Sequence, residues 1–325
     1  NNKYSAINKK DPSYYIYSQY SKCKNIGESS ENLFGTCKAI FLQGDSVGEG
    51  LGSSATDILF SYYIKKGWQT FNMSSTSFSP KNSSAQLAYF NSRGLKPEII
   101  IKYIDQGDIG DDYYRYKKNS KYIRDKIRHY KVEPFLDSHL RFYNYGSYLN
   151  PADIYGFKPI SITLIKGIYR KLMVSIFYLT DGKINLTKTP GWSKITEPLV
   201  KKDNKANSYF KNVLNNYVNT AKDLGVKELY FVSMPHPRNF VESIEKERRF
   251  NYSVAEVIDD YVSNFKEQNQ IKVFHIPTEV NQNIFPCKDE TCSGFYLVND
   301  HHPDASGYKY MAQKITNFIR ERSSF

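Results

Sequence analysis

Five short runs of strand-forming residues, separated by helix-like segments, constrain this 325-residue chain more than any other feature of it. The runs cover residues 38–43, 69–73, 98–104, 228–233 and 271–275. Helical periodicity marks 55–66, ended by Gly67; 206–224, stopped by Gly225 at a position suited to a left-handed cap; 254–267; and 305–322. Strands this short, alternating with helices, imply an α/β domain whose parallel sheet is covered on both faces. Residues 111–204 break the rhythm with a basic, tyrosine-rich stretch, an apolar window and a Pro/Gly/Lys-rich tail. They read as an insertion between the third and fourth strands. Residues 1–36 form an N-terminal extension, and the whole of 1–325 reads as one domain.

An open parallel sheet binds ligands beyond the carboxyl ends of its strands. The first strand ends in KAIFLQGDSVGEGLGSS, residues 38–54, which puts Ser46 at that edge, with a helix expected to start near Ser54. A serine there either caps a turn or is held out as a nucleophile. Neither a phosphate-loop pattern nor a dinucleotide fingerprint fits Gly48, Gly50 and Gly52.

The other end of the chain supplies what a nucleophile needs. In FYLVNDHHPDASGYKYMAQKI, residues 295–315, Asp300, His301 and His302 occupy a loop before the last helix. Serine attacks a carbonyl at neutral pH only when a base takes its proton, and histidine is suited to that task. A neighbouring carboxylate then holds the imidazole tautomer.

Together, FLQGDSVGEGL and HHPDASGYKYMA resemble the first and last blocks of the SGNH (GDSL-type) hydrolase superfamily. The resemblance covers the two ends and the strand rhythm between them. It implies a flavodoxin-like three-layer α/β/α sandwich with a central parallel sheet, and serine esterase or acyltransferase chemistry without metal or cofactor. Ser46 takes the nucleophile's position, His302 the base's and Asp300 the orienter's, at an Asp-x-His spacing similar to that of some polysaccharide-modifying relatives. Asn299 stands where the commoner Asp-x-x-His spacing would put the carboxylate. The middle blocks depart from the family. NMSSTS keeps Asn72 but has serines at 74 and 77, and IDQGDIGDD has Gly107 where an oxyanion-binding Asn is usual. The expected substitutes are the Ser46 and Ser77 amides and the Gln106 side chain, with Asn72, Asp108 and His236 lining the pocket. Asp105, Asp108, Asp111 and Asp112 lack the spacing of a calcium hand and read as a hydrogen-bonded turn.

The formal charge is +12, from 45 Lys+Arg against 33 Asp+Glu, which favours anionic partners. No basic run suggests nucleic-acid binding. Cys23 with Cys37, and Cys287 with Cys292, form two local pairs without metal-ligand spacing, and two short-range disulfides fit an oxidising compartment. The chain opens NNKYS, so a signal peptide or anchor is expected to precede it. The window 160–179 carries Lys166, Arg170 and Lys171, which argues against a spanning helix and leaves a buried amphipathic helix or a membrane-facing surface.

These features point to an extracytoplasmic bacterial esterase or O-acyltransferase: periplasmic, secreted or an anchored ectodomain. The resemblance, with the expected compartment, implies that it would act on acyl groups, acetyl foremost, of a cell-surface carbohydrate. The alternatives are a glycan-binding or assembly module that keeps the fold without turnover, and a lipase-like enzyme using 160–179 as a lid. Neither the oligomeric state nor the choice between hydrolysis and transfer is readable from the sequence.

Overall fold

The computed structural model describes residues 17–18, 38–61, 63, 68–74, 78–91, 96–117, 192–234, 236–242, 244–246, 249–265, 270–287, 292, 294–297 and 302–323. Its strands are β1 (Tyr17–Ser18), β2 (Ala39–Gln43), β3 (Gln69–Asn72), β4 (Ile99–Ile104), β5 (Glu228–Ser233) and β6 (Lys272–Pro277). They form one sheet in the order β1-β3-β2-β4-β5-β6. All pairs from β3 to β6 are parallel, and the two-residue β1 adds an antiparallel edge to β3. The chain therefore winds outward from β2 in both directions, and the winding reverses between β2 and β4. A crevice opens at such a reversal because the connections leave to opposite faces.

The described helices are α1 (Ser46–Ser54), α2 (Thr56–Leu59), α3 (Pro80–Asn91), α4 (Asp108–Gly110), α5 (Trp192–Lys201), α6 (Asn204–Asp223), α7 (Pro237–Phe240), α8 (Val254–Asn264) and α9 (Ala305–Arg322). A π-helical turn, Asp111–Tyr116, follows α4. Alternation along β4 divides the core. Ile99, Ile101 and Tyr103 join α1, α2 and α9 on one face, while Ile100 and Ile104 join α3, α6 and α8 on the other. All five are buried, as expected of a central parallel strand. Burying each isoleucine contributes roughly 1.5–3 kcal/mol, so β4 is the sheet's apolar spine.

Two helix assignments differ from the sequence expectation. α1 starts at Ser46, not near residue 54, because Asp45 caps it: its Oδ1 accepts from the amides of Val47 at 2.9 Å and Gly48 at 3.4 Å. The Pro/Gly/Lys-rich tail of the expected insertion contains α5, with Pro198 inside it, and α5 lies against α4 at Gly110. Among the other expectations, Gly225 does take a left-handed φ of 83° after α6. Residues 118–191, including the 160–179 window, lie outside the described residues, as do Cys23 and Cys37. Among the described residues no helix is long and apolar enough to cross a membrane.

Candidate active site

Ser46 is the first residue of α1, directly beyond the carboxyl end of β2. Its position follows from the capping geometry. Asp45 takes the Val47 and Gly48 amides with its side chain and the Glu49 amide with its carbonyl at 2.9 Å. The Ser46 amide is the first-turn N–H that this cap does not use, and it lies at the positive end of the helix dipole.

α1 sits close to its surroundings because of its glycines. A Cβ on Gly48 would come within 2.8 Å of the Ser74 hydroxyl, one on Gly50 within 2.1 Å of the Tyr308 hydroxyl, and one on Gly52 within 2.2 Å of the Asn72 amide. Asn72 clamps the helix directly: its Nδ2 donates to the Glu49 carbonyl at 3.2 Å, and its Oδ1 accepts from the Ser74 amide at 3.2 Å.

His302 arrives from the opposite end of the chain. Its loop is closed by a bridge between Tyr296 and Pro303. The Leu297 amide donates to the His302 carbonyl at 2.9 Å, and the Asp304 amide to the Phe295 carbonyl at 2.8 Å. Asp304 then caps α9 through the Ser306 and Gly307 amides. Gly307 is required here, since a Cβ would lie 2.3 Å from the Phe295 carbonyl oxygen. A Cys287–Cys292 disulfide staples the segment leading into this loop, with Phe285 and Phe295 packed edge to face beside it. The result is a separation of 2.7 Å between His302 Nε2 and Ser46 Oγ, across 256 residues of sequence. That is hydrogen-bond distance for a hydroxyl and its base. Asp300 and His301 lie outside the described residues, and so does Ser77.

Several carboxyls stand near this pair. Burial raises the Asp45 carboxyl above its ordinary value, against the pull of Lys102, the two capped amides and His302. Burial and the charge of Asp45 push Asp105 up to about 6, opposed by the Gly107 and Gln106 amides and by His302. Asp108 is buried and driven well upward, mainly by desolvation. The four acidic residues 105, 108, 111 and 112 make turn and helix contacts: the Gly107 amide donates to Asp105 at 3.0 Å, the Asp105 amide to Asp108 at 3.2 Å, and Arg115 pairs with Asp111 at 3.0 Å. Among the described residues no group of His, Cys, Asp or Glu is arranged to hold a metal ion.

One expected oxyanion donor, Gln106, and one expected pocket residue, His236, make structural contacts. Gln106 is 1% exposed and spans two elements, its Nε2 donating to the Met234 carbonyl at 2.6 Å and its Oε1 accepting from the Val254 amide at 3.1 Å. That use differs from the oxyanion role expected of it: the amide ties β4 to β5 and to the start of α8. His236 caps α7, with its Nδ1 accepting from the Arg238 amide at 3.2 Å, and packs on Phe250. Asn72 and Asp108 brace α1 and the β4 loop as described.

Sequence reasoning passed over Asp45 as a cap and Lys102 altogether. Lys102 is 0% exposed on β4, and the signal was present: a lysine inside IIIKYI, in a strand buried on both faces, is out of place unless its charge is matched. It also passed over a second histidine relay. His275 stands between Ser233 Oγ, 2.7 Å from its Nε2, and Asp259, bonded to its Nδ1. Ser233 is fully buried beneath α8, so this relay fastens α8 to the sheet and offers no surface to a substrate. No protein-family model matches the chain, and no curated protein matches its sequence.

Proposed function

We propose that this chain is an SGNH-type serine esterase or O-acyltransferase on a flavodoxin-like sandwich, acting outside the cytoplasm on acetyl esters of a cell-surface carbohydrate. What supports the reading is the 2.7 Å contact between Ser46 Oγ and His302 Nε2 at the sheet's reversal point. His302 takes the Ser46 proton as Oγ attacks the ester carbonyl. The developing oxyanion is stabilised by the Ser46 amide at the head of α1, in the manner of preorganised donors. His302 returns the proton to the departing sugar oxygen, leaving an acyl-serine. Water or a second sugar hydroxyl, deprotonated by His302 in turn, then takes the acyl group, and His302 passes that proton to Ser46 Oγ as the acyl–Oγ bond breaks. Asp300, by its resemblance to the family's carboxylate, orients the imidazole. The Cys287–Cys292 disulfide suits an oxidising compartment.

A second reading, a glycan-binding module without turnover, draws on Gln106: with its amide tied between Met234 and Val254, one family-like oxyanion donor is given up. Fluorophosphonate labelling and hydrolysis of an activated acetyl ester separate the two. The enzyme reading expects stoichiometric label on Ser46, and a loss of roughly 10⁴-fold or more in hydrolysis for Ser46→Ala. An unlabelled wild-type chain that still binds acetylated polysaccharide would establish the module instead.

A further inference from the structure

We infer that Lys81 and Lys117, held against the rings of Tyr113 and Tyr209, form a subsite for a carboxylate-bearing sugar unit of an acidic polysaccharide. The subsite rests on the proposed function for the choice of a carbohydrate. Three elements meet in it. Lys81 lies in the first turn of α3, Tyr113 in the π-helical turn that runs into Lys117, and Tyr209 in the second turn of α6. α3 and the π-helical turn follow the carboxyl ends of β3 and β4, and α6 starts from that same side, since its far end leads into β5. The cluster therefore stands at the edge of the sheet that carries Ser46.

The Lys117 Nζ lies 4.3 Å from the centre of the Tyr113 ring and 4.9 Å from that of Tyr209. The Lys81 Nζ lies 5.8 Å from the same Tyr209 ring, and donates to the Tyr209 hydroxyl at 3.1 Å and to the Tyr116 carbonyl at 2.9 Å. The two rings meet edge to face.

An aromatic face attracts an ammonium group, which accounts for each contact taken singly. It does not account for two like charges brought to one ring without a counterion. Among the described residues neither ammonium has a carboxylate within ion-pair reach, whereas Lys201, Lys211 and Lys227 pair with Glu197, Asp260 and Glu98. Asp112 feels the charge of Lys81, but it is fully buried and its Oδ1 accepts from Ser79. Lys117 is exposed and Lys81 half-buried, so the pair faces solvent.

A carboxylate has two oxygens, one for each ammonium. The rings hold the lysines in place before it arrives, which spares the entropy of ordering them on binding. The ring faces in this corner are taken by ammonium groups and not left for nucleobases to stack on, which favours a glycan over a nucleic acid. The π-helical turn agrees with a binding role, since such turns occur mostly singly and often at functional sites.

Binding is measured on the Ser46→Ala chain, so that no acyl chemistry intervenes. The probes are an oligogalacturonate, a neutral cello-oligosaccharide of the same length, and a single-stranded oligonucleotide of the same charge. Lys81→Gln combined with Lys117→Gln removes the charge of the subsite. Lys309→Gln combined with Lys314→Gln removes as much charge from α9, on the other face of the sheet, where Lys314 also lies over a tyrosine ring.

Oligogalacturonate should bind ahead of both other probes and shield Lys81 and Lys117 from amine-reactive labelling read by mass spectrometry. Its affinity should fall about tenfold or more in the first double variant. The α9 pair should cost less than about twofold. Equal losses in the two double variants overturn the subsite, since the diffuse field would then suffice. Tighter binding of either other probe, or shielding confined to other lysines, overturns it too. Should the first double variant misfold, the shielding pattern on the parent chain decides alone. If the wild type takes no fluorophosphonate label at Ser46, the esterase reading falls, and these binding results still judge the subsite.

Discussion

At the scale of single residues, the carboxyl of Asp112 shows how strongly this interior acts on charge. It is 0% exposed, and burial pushes it up to about 7, against the Ser79 hydrogen bond and the charges of Lys102 and Lys81. In the unfolded chain the same group titrates near 3.8. Between those values the folded protein holds a proton that the unfolded chain has released. Stability from this group therefore falls as pH rises from about 4 to about 7, the reverse of a salt-bridged carboxylate. Asp112→Asn mimics the protonated acid and should flatten that part of the profile. Melting temperatures across this window should decline less steeply in the variant; an unchanged slope would mean that the carboxyl is charged in the folded state. That Ser46 and His302 belong together was legible in sequence because each sits in a short, chemically distinctive block. The partners of Lys102 and Asp112, the Phe78 carbonyl and the Ser79 hydroxyl, were not, since the company a side chain keeps is set by pairing of distant strands and loops. Gln106 shows the same limit: the sequence placed it in the right loop but could not say that Met234 and Val254 would take its amide.

At the scale of elements, close approach explains both what was legible and what was not. Strands β2 to β6 announced themselves as β-branched and aromatic runs, and β5 and α9 fall where periodicity put them. α1 was hidden because three glycines in nine residues weigh against a helix, each by about 1 kcal/mol. The glycines are there for the neighbours, Ser74, Tyr308 and Asn72, that press against the helix, information absent from any local window. α5 was masked by its own Pro198 and the turn-forming residues before it. Its contact with α4 yields a test. A Cβ at Gly110 would lie 1.8 Å from the Ile195 carbonyl oxygen, a backbone atom that cannot rotate away. Gly110→Ala should destabilise the fold by about 1–3 kcal/mol through overpacking. Denaturant unfolding measures this directly, and a neutral result would mean that α5 does not pack on α4 in solution.

At the scale of the whole molecule, the parallel sheet was foreseeable from the alternation of strands and helices. The order β3-β2-β4-β5-β6 was not, because pattern says which strands exist and not which become neighbours. That order brings the connections after β2 and β4 to the same crevice and allows residue 46 to meet residue 302. The molecule's charge bears on what reaches the crevice. A net +12 spread over a chain without basic runs makes a diffuse field, which speeds encounter with a polyanion and does little for a neutral ligand. Raising ionic strength from about 10 mM to about 1 M contracts the screening length from about 30 Å to about 3 Å. For an acetylated anionic polysaccharide, kcat/KM should then fall by about tenfold or more, because capture depends on the long-range field. A small neutral acetyl ester, which meets only the local chemistry of Ser46 and His302, should change by less than about twofold over the same range. Equal salt responses for the two would detach the positive charge from substrate capture, and would direct the search for a carbohydrate toward neutral polymers.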